Sequence, residues 1–367
     1  MKWKRRREWL PVSAEAAVYG VARLVKLTMR RSNTIRRKRT YVGVLNLVLG
    51  IVVVVQPGLA QDKQSANSTS PATSVKLNLL VTNNKGHYVD DIRQQDIEVF
   101  ENGVGQIVSY FAKEDLPVSY CLTVDNSGSF KTLLKSVMEA ASALVGNNKV
   151  EDEACVVRFV KSADVETVTD FTSDKGTLLK ALGALYIGSG QTAFIDAVYV
   201  SADHVAKRQW SDNIMRRRAL VVFSDGEDRA SYYTQGQLFK MLRQNNVQVF
   251  VVGLISQLDA TSGLIRESPR DKAVELLEKL ARETGGRVFF PMDVAEIGNA
   301  MKEIAHDLHT QYVVGYNPVG RSVKDEHKVQ IKLVETPGGG KRTGITRPAY
   351  YVDSKAPSSQ KGNSVQP

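Results

Sequence analysis

Val118-Ser-Tyr-Cys-Leu-Thr-Val-Asp-Asn-Ser-Gly-Ser-Phe130 is an apolar run that ends on an acid, Asp125, with hydroxyls following at alternate positions, Ser127 and Ser129. A nearly continuous apolar run of this length reads as a strand buried on both faces of a parallel sheet. The loop leaving it offers three small oxygen-bearing side chains, which suit a hard divalent cation such as Mg2+. Zinc or copper would call for His or Cys. A turn that spends Asp, Ser and Gly on local hydrogen bonds has the same composition, so the rest of the chain must supply the missing ligands for the metal reading to stand.

Working outward from Pro117, strand and helix alternate. Residues 130–145 space Leu133, Leu134, Val137, Met138, Ala141 and Leu144 along one helical face. Residues 154–160 and 165–171 read as a strand, a turn and an antiparallel strand, and residues 175–185 as a helix. Gly188-Ser-Gly-Gln-Thr192 then breaks the chain before a long helix over residues 193–207. The next buried strand, Ala219-Leu-Val-Val-Phe-Ser224, ends in Asp225-Gly-Glu-Asp228. Further helices are expected over 235–245, 272–284 and 294–309, with strands at 247–255 and 288–290. This alternation predicts an α/β unit with a doubly wound, mostly parallel sheet covered on both faces.

In an open parallel sheet, ligands bind beyond the carboxyl ends of the strands. Asp125, Ser127 and Ser129 lie past the end of one strand, Asp225 past another, and Thr192 in the glycine-rich loop, so all three loops open on one edge. Together they supply two carboxylates and three hydroxyls, with Gly128, Gly190 and Gly226 expected to let the backbones crowd. Here the chain resembles the von Willebrand factor A domain family, whose metal-ion-dependent adhesion site combines Asp-x-Ser-x-Ser with a Thr and an Asp from two further loops. In this sequence those are Asp125, Ser127 and Ser129, then Thr192 within Gln191-Thr-Ala-Phe-Ile-Asp196, then Asp225. The resemblance covers residues 117–310. It implies that the hydroxyls hold Mg2+ or Mn2+, that the carboxylates act directly or through water, and that a carboxylate of a partner protein fills the last position. Ca2+ fits less well, since it prefers a larger shell of oxygens. The resemblance also implies that the last helix, over residues 294–309, is the element that would shift if the site switches.

The α/β unit has β-type flanks. Residues 75–82, 96–103 and 105–111 alternate as three short strands, too few to close a core, and residues 312–316, 328–334 and 349–352 read as three more. We therefore expect the flanks to form one small β-sandwich with the α/β unit inserted between its halves. The expected organisation is a signal peptide at 1–60, a linker at 61–74, a β segment at 75–114, the α/β domain at 117–310, a second β segment at 311–353 and a disordered tail at 354–367. Phrases such as Asp96-Ile-Glu-Val-Phe-Glu-Asn-Gly and Val314-Gly-Tyr-Asn-Pro give this arrangement a likeness to exported bacterial members of the family typified in Acidobacteria.

The formal charge of +10 is confined to one end: residues 1–60 hold 13 Lys or Arg against 2 acids, while the remainder holds 36 against 37. The body is close to neutral, which removes the main argument for a nucleic-acid partner. Arg36-Arg-Lys-Arg39, an apolar run at 41–55 and small residues at Gly58 and Ala60 match a secretory signal cleaved after Ala60. The run is short for a bilayer-spanning helix, so an uncleaved membrane anchor is the alternative, and Met29 is a second candidate start. Export places the protein in the periplasm, on the cell surface or outside the cell. The two cysteines, Cys121 and Cys155, sit in apolar strands and read as buried thiols, a disulfide requiring that those strands be neighbours.

The neighbouring charges have plainer readings. Glu227 and Asp228 read as solvated loop acids, Asp196 as an acid in the first turn of a helix, and Met215-Arg-Arg-Arg218 as a solvated edge rather than an anion site. Tyr232 and Tyr233 stand near the rim of the loops, as packing residues or partner contacts. The expected function is metal-dependent protein binding, in adhesion or scaffolding, without catalysis. A metal-dependent hydrolase and a purely structural metal are the competing readings; no His, Lys or Cys is placed by the sequence to serve as base or nucleophile.

Overall fold

The computed structural model describes residues 74–210, 212, 214–261, 267–319, 326–334 and 340–351. The expected signal peptide at 1–60, the linker up to residue 73 and the tail at 354–367 lie outside the described residues. Among the described residues, no helix is long and apolar enough to cross a membrane.

Four strands come first: β1 (Val75–Asn83), β2 (Ile97–Glu101), β3 (Val104–Gln106) and β4 (Val108–Asp115). The α/β unit runs through β5 (Val118–Asp125), α1 (Leu134–Gly146), β6 (Glu153–Phe159), β7 (Glu166–Thr172), α2 (Lys175–Gly183), α3 (Phe194–Lys207) and β8 (Arg217–Ser224). It continues through α4 (Gln235–Asn245), β9 (Gln248–Gly253), α5 (Pro269–Thr284), β10 (Val288–Phe289) and α6 (Val294–His309). Four more strands follow: β11 (Thr310–Tyr316), β12 (Glu326–Leu333), β13 (Arg342–Ile345) and β14 (Ala349–Tyr351).

The α/β sheet has the order β10-β9-β8-β5-β6-β7, parallel except for β7, which runs antiparallel to β6 at the edge. All eight residues of β5 are buried, because helices cover both faces of the sheet's centre. One face packs Tyr120, Leu122 and Val124 against α1, α2 and α6; the other packs Leu220, Val222, Val249 and Val251 against α3, α4 and α5. Helix α5 begins earlier than the apolar spacing suggested. Ser268 caps it by accepting from Asp271 N–H at 3.0 Å, Pro269 occupies the first turn, and Gly285 ends it at φ +72°. A side chain at Gly285 would also strike the backbone of Arg347, whose nitrogen lies 2.6 Å from where a Cβ would stand.

The flanks form the expected sandwich. One sheet has the order β13-β1-β11-β4 and the other β14-β12-β2-β3, so each mixes strands from before and after the α/β unit. Leu77 and Leu79 of β1, Val99 of β2, Val314 of β11 and Ile331 of β12 share one buried core. Neither half could enclose that core alone, which is the physical reason for the insertion. The stretch 105–111 is not one strand: Ile107, 82% exposed, separates β3 in one sheet from β4 in the other. Strand β13, which pairs antiparallel with β1, is an addition to the three C-terminal strands expected.

Cys121 and Cys155 are register partners on the parallel neighbours β5 and β6, with Cα atoms 4.5 Å apart, and they form a disulfide. This corrects the expectation of two separate buried thiols. Nothing in either strand announces its lateral register, and the register alone brings the two side chains together.

Candidate metal centre

The three loops of the expected site meet at the carboxyl edge of the α/β sheet. Strands β5 and β8 pair in register up to Val124 and Phe223, so Asp125 and Ser224 emerge side by side. Ser224 Oγ donates to Asp125 Oδ2 at 2.9 Å, and Ser127 N–H donates to Asp125 Oδ1 at 2.9 Å. Ser129 Oγ donates to Asp225 Oδ2 at 2.7 Å, and the hydroxyls of Ser127 and Ser129 lie 3.0 Å apart. Asp125, Ser127, Ser129 and Asp225 are thus drawn into one hydrogen-bonded group. Thr192 is tied in through its main chain, its carbonyl accepting from Arg229 N–H at 2.8 Å and Ala230 N–H at 3.2 Å. Its hydroxyl hydrogen-bonds none of the other four.

Residues that the sequence reading passed over or gave a plainer role hold these loops together. Asn126, fully buried, donates from Nδ2 to Tyr186 O at 2.8 Å, and its main-chain carbonyl accepts from Gly188 N–H at 2.8 Å. That joins the first loop to the second. Asp228 is not a solvated acid: its Oδ1 accepts from Ile195 N–H at 3.2 Å and from the Ser231 hydroxyl, joining the third loop to the start of α3. Asp196 is 2% exposed and accepts from the N–H groups of Tyr232 and Tyr233, both at 2.8 Å. It is a staple between loops as well as a first-turn acid. Glu227 is occupied by Arg229 at 2.7 Å. Tyr233 stacks on Tyr199, with ring centroids 3.8 Å apart, whereas Tyr232 is 82% exposed. The glycines act differently from expectation. Gly128 has open space where a Cβ would stand, while Gly226, at φ +77°, lies against Leu277 with no room for a side chain.

The electrostatics of this group are unbalanced. Asp125 is fully buried and Asp225 is 2% exposed, yet among the described residues neither makes an ion pair with a Lys or Arg. Burial, and then repulsion from Asp225, pushes the Asp125 carboxyl up to about 7. Burial also raises Asp225, with a further push from the Glu227 charge, against the opposing pull of the Glu227 N–H, the Ser129 hydroxyl and the Arg229 charge. Two buried carboxylates beside two hydroxyls form a donor set that a small hard cation would neutralise. Clusters of three or more His, Cys, Asp or Glu able to hold a metal are absent among the described residues, so any metal here would rest on hydroxyl oxygens and these two acids. The residues fit such an ion.

A parallel α/β sheet carrying Asp-x-Ser-x-Ser, Thr and Asp on three loops of one edge defines a class of protein, and the family comparison agrees. The model of the von Willebrand factor type A domain matches residues 121–303. That part of the chain belongs to the family. Among solved structures, it is similar to BatB from Bacteroides thetaiotaomicron at 17% identity and a TM-score of 0.40, covering 52% of this chain and 98% of that one. A von Willebrand factor type A protein from Catenulispora acidiphila matches at 12% identity and a TM-score of 0.43, covering 71% and 75%. Proximal thread matrix protein 1 from the mussel byssus, solved with a zinc-occupied metal-ion-dependent adhesion site, matches at 16% identity and a TM-score of 0.42, covering 53% and 49%. No curated protein matches the sequence.

Proposed function

We propose that this protein is an exported, divalent-metal-dependent binding module that captures a carboxylate of a partner protein. Asp125, Ser127, Ser129, Thr192 and Asp225 would hold the ion, Mg2+ or Mn2+. The ion would supply Lewis acidity toward an anionic oxygen. The observation that carries the reading is the pair of buried carboxylates, Asp125 and Asp225, set among hydroxyl donors with no ion-pair partner among the described residues. Neutral hydroxyls in the ligand set leave a dication under-neutralised, and that favours an additional acidic ligand from outside. Tyr232, exposed on the third loop, would meet the residues beside that acid.

Export is supported by the basic and apolar N-terminal segment and by the Cys121–Cys155 disulfide, since such bonds persist in oxidising compartments. The unit boundaries we propose are 75–114 and 311–353 for the two parts of the sandwich and 117–310 for the inserted domain. Adhesion or scaffolding is the role this chemistry serves; catalysis is not part of the proposal.

The test has two stages. Mn2+ titration followed by electron paramagnetic resonance should show one bound ion in the wild type and none in Asp125→Ala. Affinity capture from extracytoplasmic extract should then retain a partner with Mg2+ and lose it both with chelator and in Asp125→Ala. Equal capture in all three arms refutes metal-mediated binding, and phosphoester turnover that vanishes in Asp125→Ala would make the protein a hydrolase.

A further inference from the structure

At the opposite edge of the α/β sheet, where β8 and β9 begin, lies a cavity of about 190 Å³ between that edge and the sandwich strands β1 and β11. Five cationic residues and a single acid, Glu114, line it. The arginine run expected to be a solvated edge contributes three of the five. Arg216 is taken up by Asp212, at 2.6 and 2.8 Å, and Arg218 donates to Arg208 O at 3.3 Å and lies against Trp210. Arg217 differs from both. It is 6% exposed, and its two terminal nitrogens donate to the carbonyls of His309 and Glu114. Its buried Nε, like that of Arg218, has no partner among the described residues.

Arg347 enters the same cavity from the segment between β13 and β14. Its sole hydrogen bond among the described residues is a long one, 3.5 Å, to Lys76 O, and its guanidinium lies over the Tyr350 ring, 5.7 Å from the ring centre. Lys76 completes the set from β1, its ammonium 5.1 Å from the centre of the Tyr110 ring. Two acids are in reach, Glu114, which accepts from the Tyr110 hydroxyl at 2.7 Å, and Asp115, which pairs with Lys149; their charges offset part of the cost of burying Arg217, but neither makes an ion pair with it. Burial pulls Arg347 below the usual guanidinium range, and it pulls Arg217 down to about 10. Desolvated guanidinium groups without a carboxylate are costly unless an anion joins them.

We propose that this cavity is an anion site that takes a phosphoryl group, gripped by Arg347 and Lys76 beside the buried charge of Arg217. Guanidinium forks match the paired oxygens of a phosphate, and Asn78, Asn246 and Gln248 bring amides to the same walls. The volume is below the roughly 300–1,000 Å³ of pockets for drug-sized ligands, so the ligand is inorganic phosphate or a short phosphomonoester. Because the walls come from both the inserted domain and the sandwich, occupancy would brace one against the other. This site is independent of the metal centre.

Isothermal titration calorimetry with inorganic phosphate tests it, at constant ionic strength and with chelator present so that no metal ion can recruit the phosphate. We expect saturable one-site binding, at least tenfold weaker in Arg347→Gln and about threefold weaker in Lys76→Ala, whose exposed position spares the fold. Circular dichroism and thermal melting of both variants check their folding. Absence of saturable binding in the wild type up to about 10 mM, an affinity near −3 kcal/mol, overturns the proposal. So does unchanged affinity in both variants. A second arm uses sedimentation with vesicles containing phosphatidic acid. Retention that is lost in Arg347→Gln assigns the phosphoryl group to a lipid headgroup; phosphate binding without retention assigns it to a free phosphate compound.

Discussion

Asp125 and Asp152 are both fully buried, and they stand at opposite edges of the same sheet with opposite chemistry. At the upper edge Asp125 ends β5 beside Asp225, with hydroxyls and one main-chain N–H as its donors, and its carboxyl is pushed up to about 7. At the lower edge Asp152 precedes β6 and is held below the usual carboxylate range. Burial opposes that outcome, but His309 Nε2 at 2.7 Å and the N–H groups of Val118 and Lys149 outweigh it. The difference teaches that burial does not decide what a carboxylate is for; the completeness of its partners does. Asp152 is satisfied and structural, whereas Asp125 is left wanting a cation.

The same contrast holds between the edges as wholes. At the upper edge Asp125 and Asp225 make no ion pair, and at the lower edge Arg217 and Arg347 make none, among the described residues, although Arg216 and Arg208 there are paired with Asp212 and Glu153. In a doubly wound unit the helices start near the carboxyl ends of the strands and finish near their amino ends. Their dipoles therefore favour this distribution of charge but amount to only about half a charge at each terminus. Neither edge is neutralised by the fold itself. Each is suited to an ion of the sign that it lacks.

The largest test of this picture joins the two edges. Replacing Cys121 and Cys155 together by alanine removes the bridge that closes a 34-residue separation. It should cost roughly 4 kcal/mol in urea unfolding, while leaving metal affinity above and phosphate affinity below within about twofold. Loss of either affinity would show that the edges communicate through the sheet's centre. Next in size, Mg2+ at about a hundredfold over its Kd should stabilise the wild type by about 2.7 kcal/mol and leave Asp225→Asn unaffected. In chelator the variant should melt no lower than the wild type, since it removes one of two buried like charges. A variant melting clearly below the wild type in chelator would mean that Asp225 is a structural acid like Asp152.

A smaller effect is expected from Asp152→Asn, about 1–3 kcal/mol at pH 7, measured by urea unfolding at several pH values. The two acids carry opposite pH signs. Asp152 has a lowered folded value, so its contribution is present above the unfolded carboxyl value near 4 and is lost as pH falls below it. Asp125 has a raised folded value, so the metal-free protein should gain stability as pH falls from about 7 toward 4. The smallest effect concerns the upper rim. Asp228→Ala removes the acceptor for Ile195 N–H and should cost about 1 kcal/mol, with a modest fall in metal affinity from the loosened third loop. Equal metal affinity would separate loop stapling from ligation.

Much of the upper edge was legible in the sequence because its residues sit at strand ends. Asp125 and Asp225 follow buried apolar runs, and Thr192 precedes a helix. Parallel strands share an edge, so their order in the chain is enough to bring these residues together. The staples Asn126, Asp196 and Asp228 were not legible, because their partners are main-chain N–H and carbonyl groups that carry no residue identity. The lower edge misled for a related reason. Met215-Arg-Arg-Arg218 looked like any charged strand entry, and only the tertiary approach of the ends of β4 and α6, whose Glu114 and His309 carbonyls accept from it, accompanies the burial of Arg217.

The sequence by itself determined the alternation of strands and helices, the polarity of the sheet, and which three loops bring oxygen-bearing side chains to one edge. Local hydrophobic period and chain order suffice for those. Tertiary structure alone decided that Cys121 faces Cys155, that residues 105–111 divide between two sheets, and that Arg217 and Arg347 share one cavity. Those depend on lateral register and on contacts between segments far apart in the chain, where no local pattern constrains which side chains come to face each other.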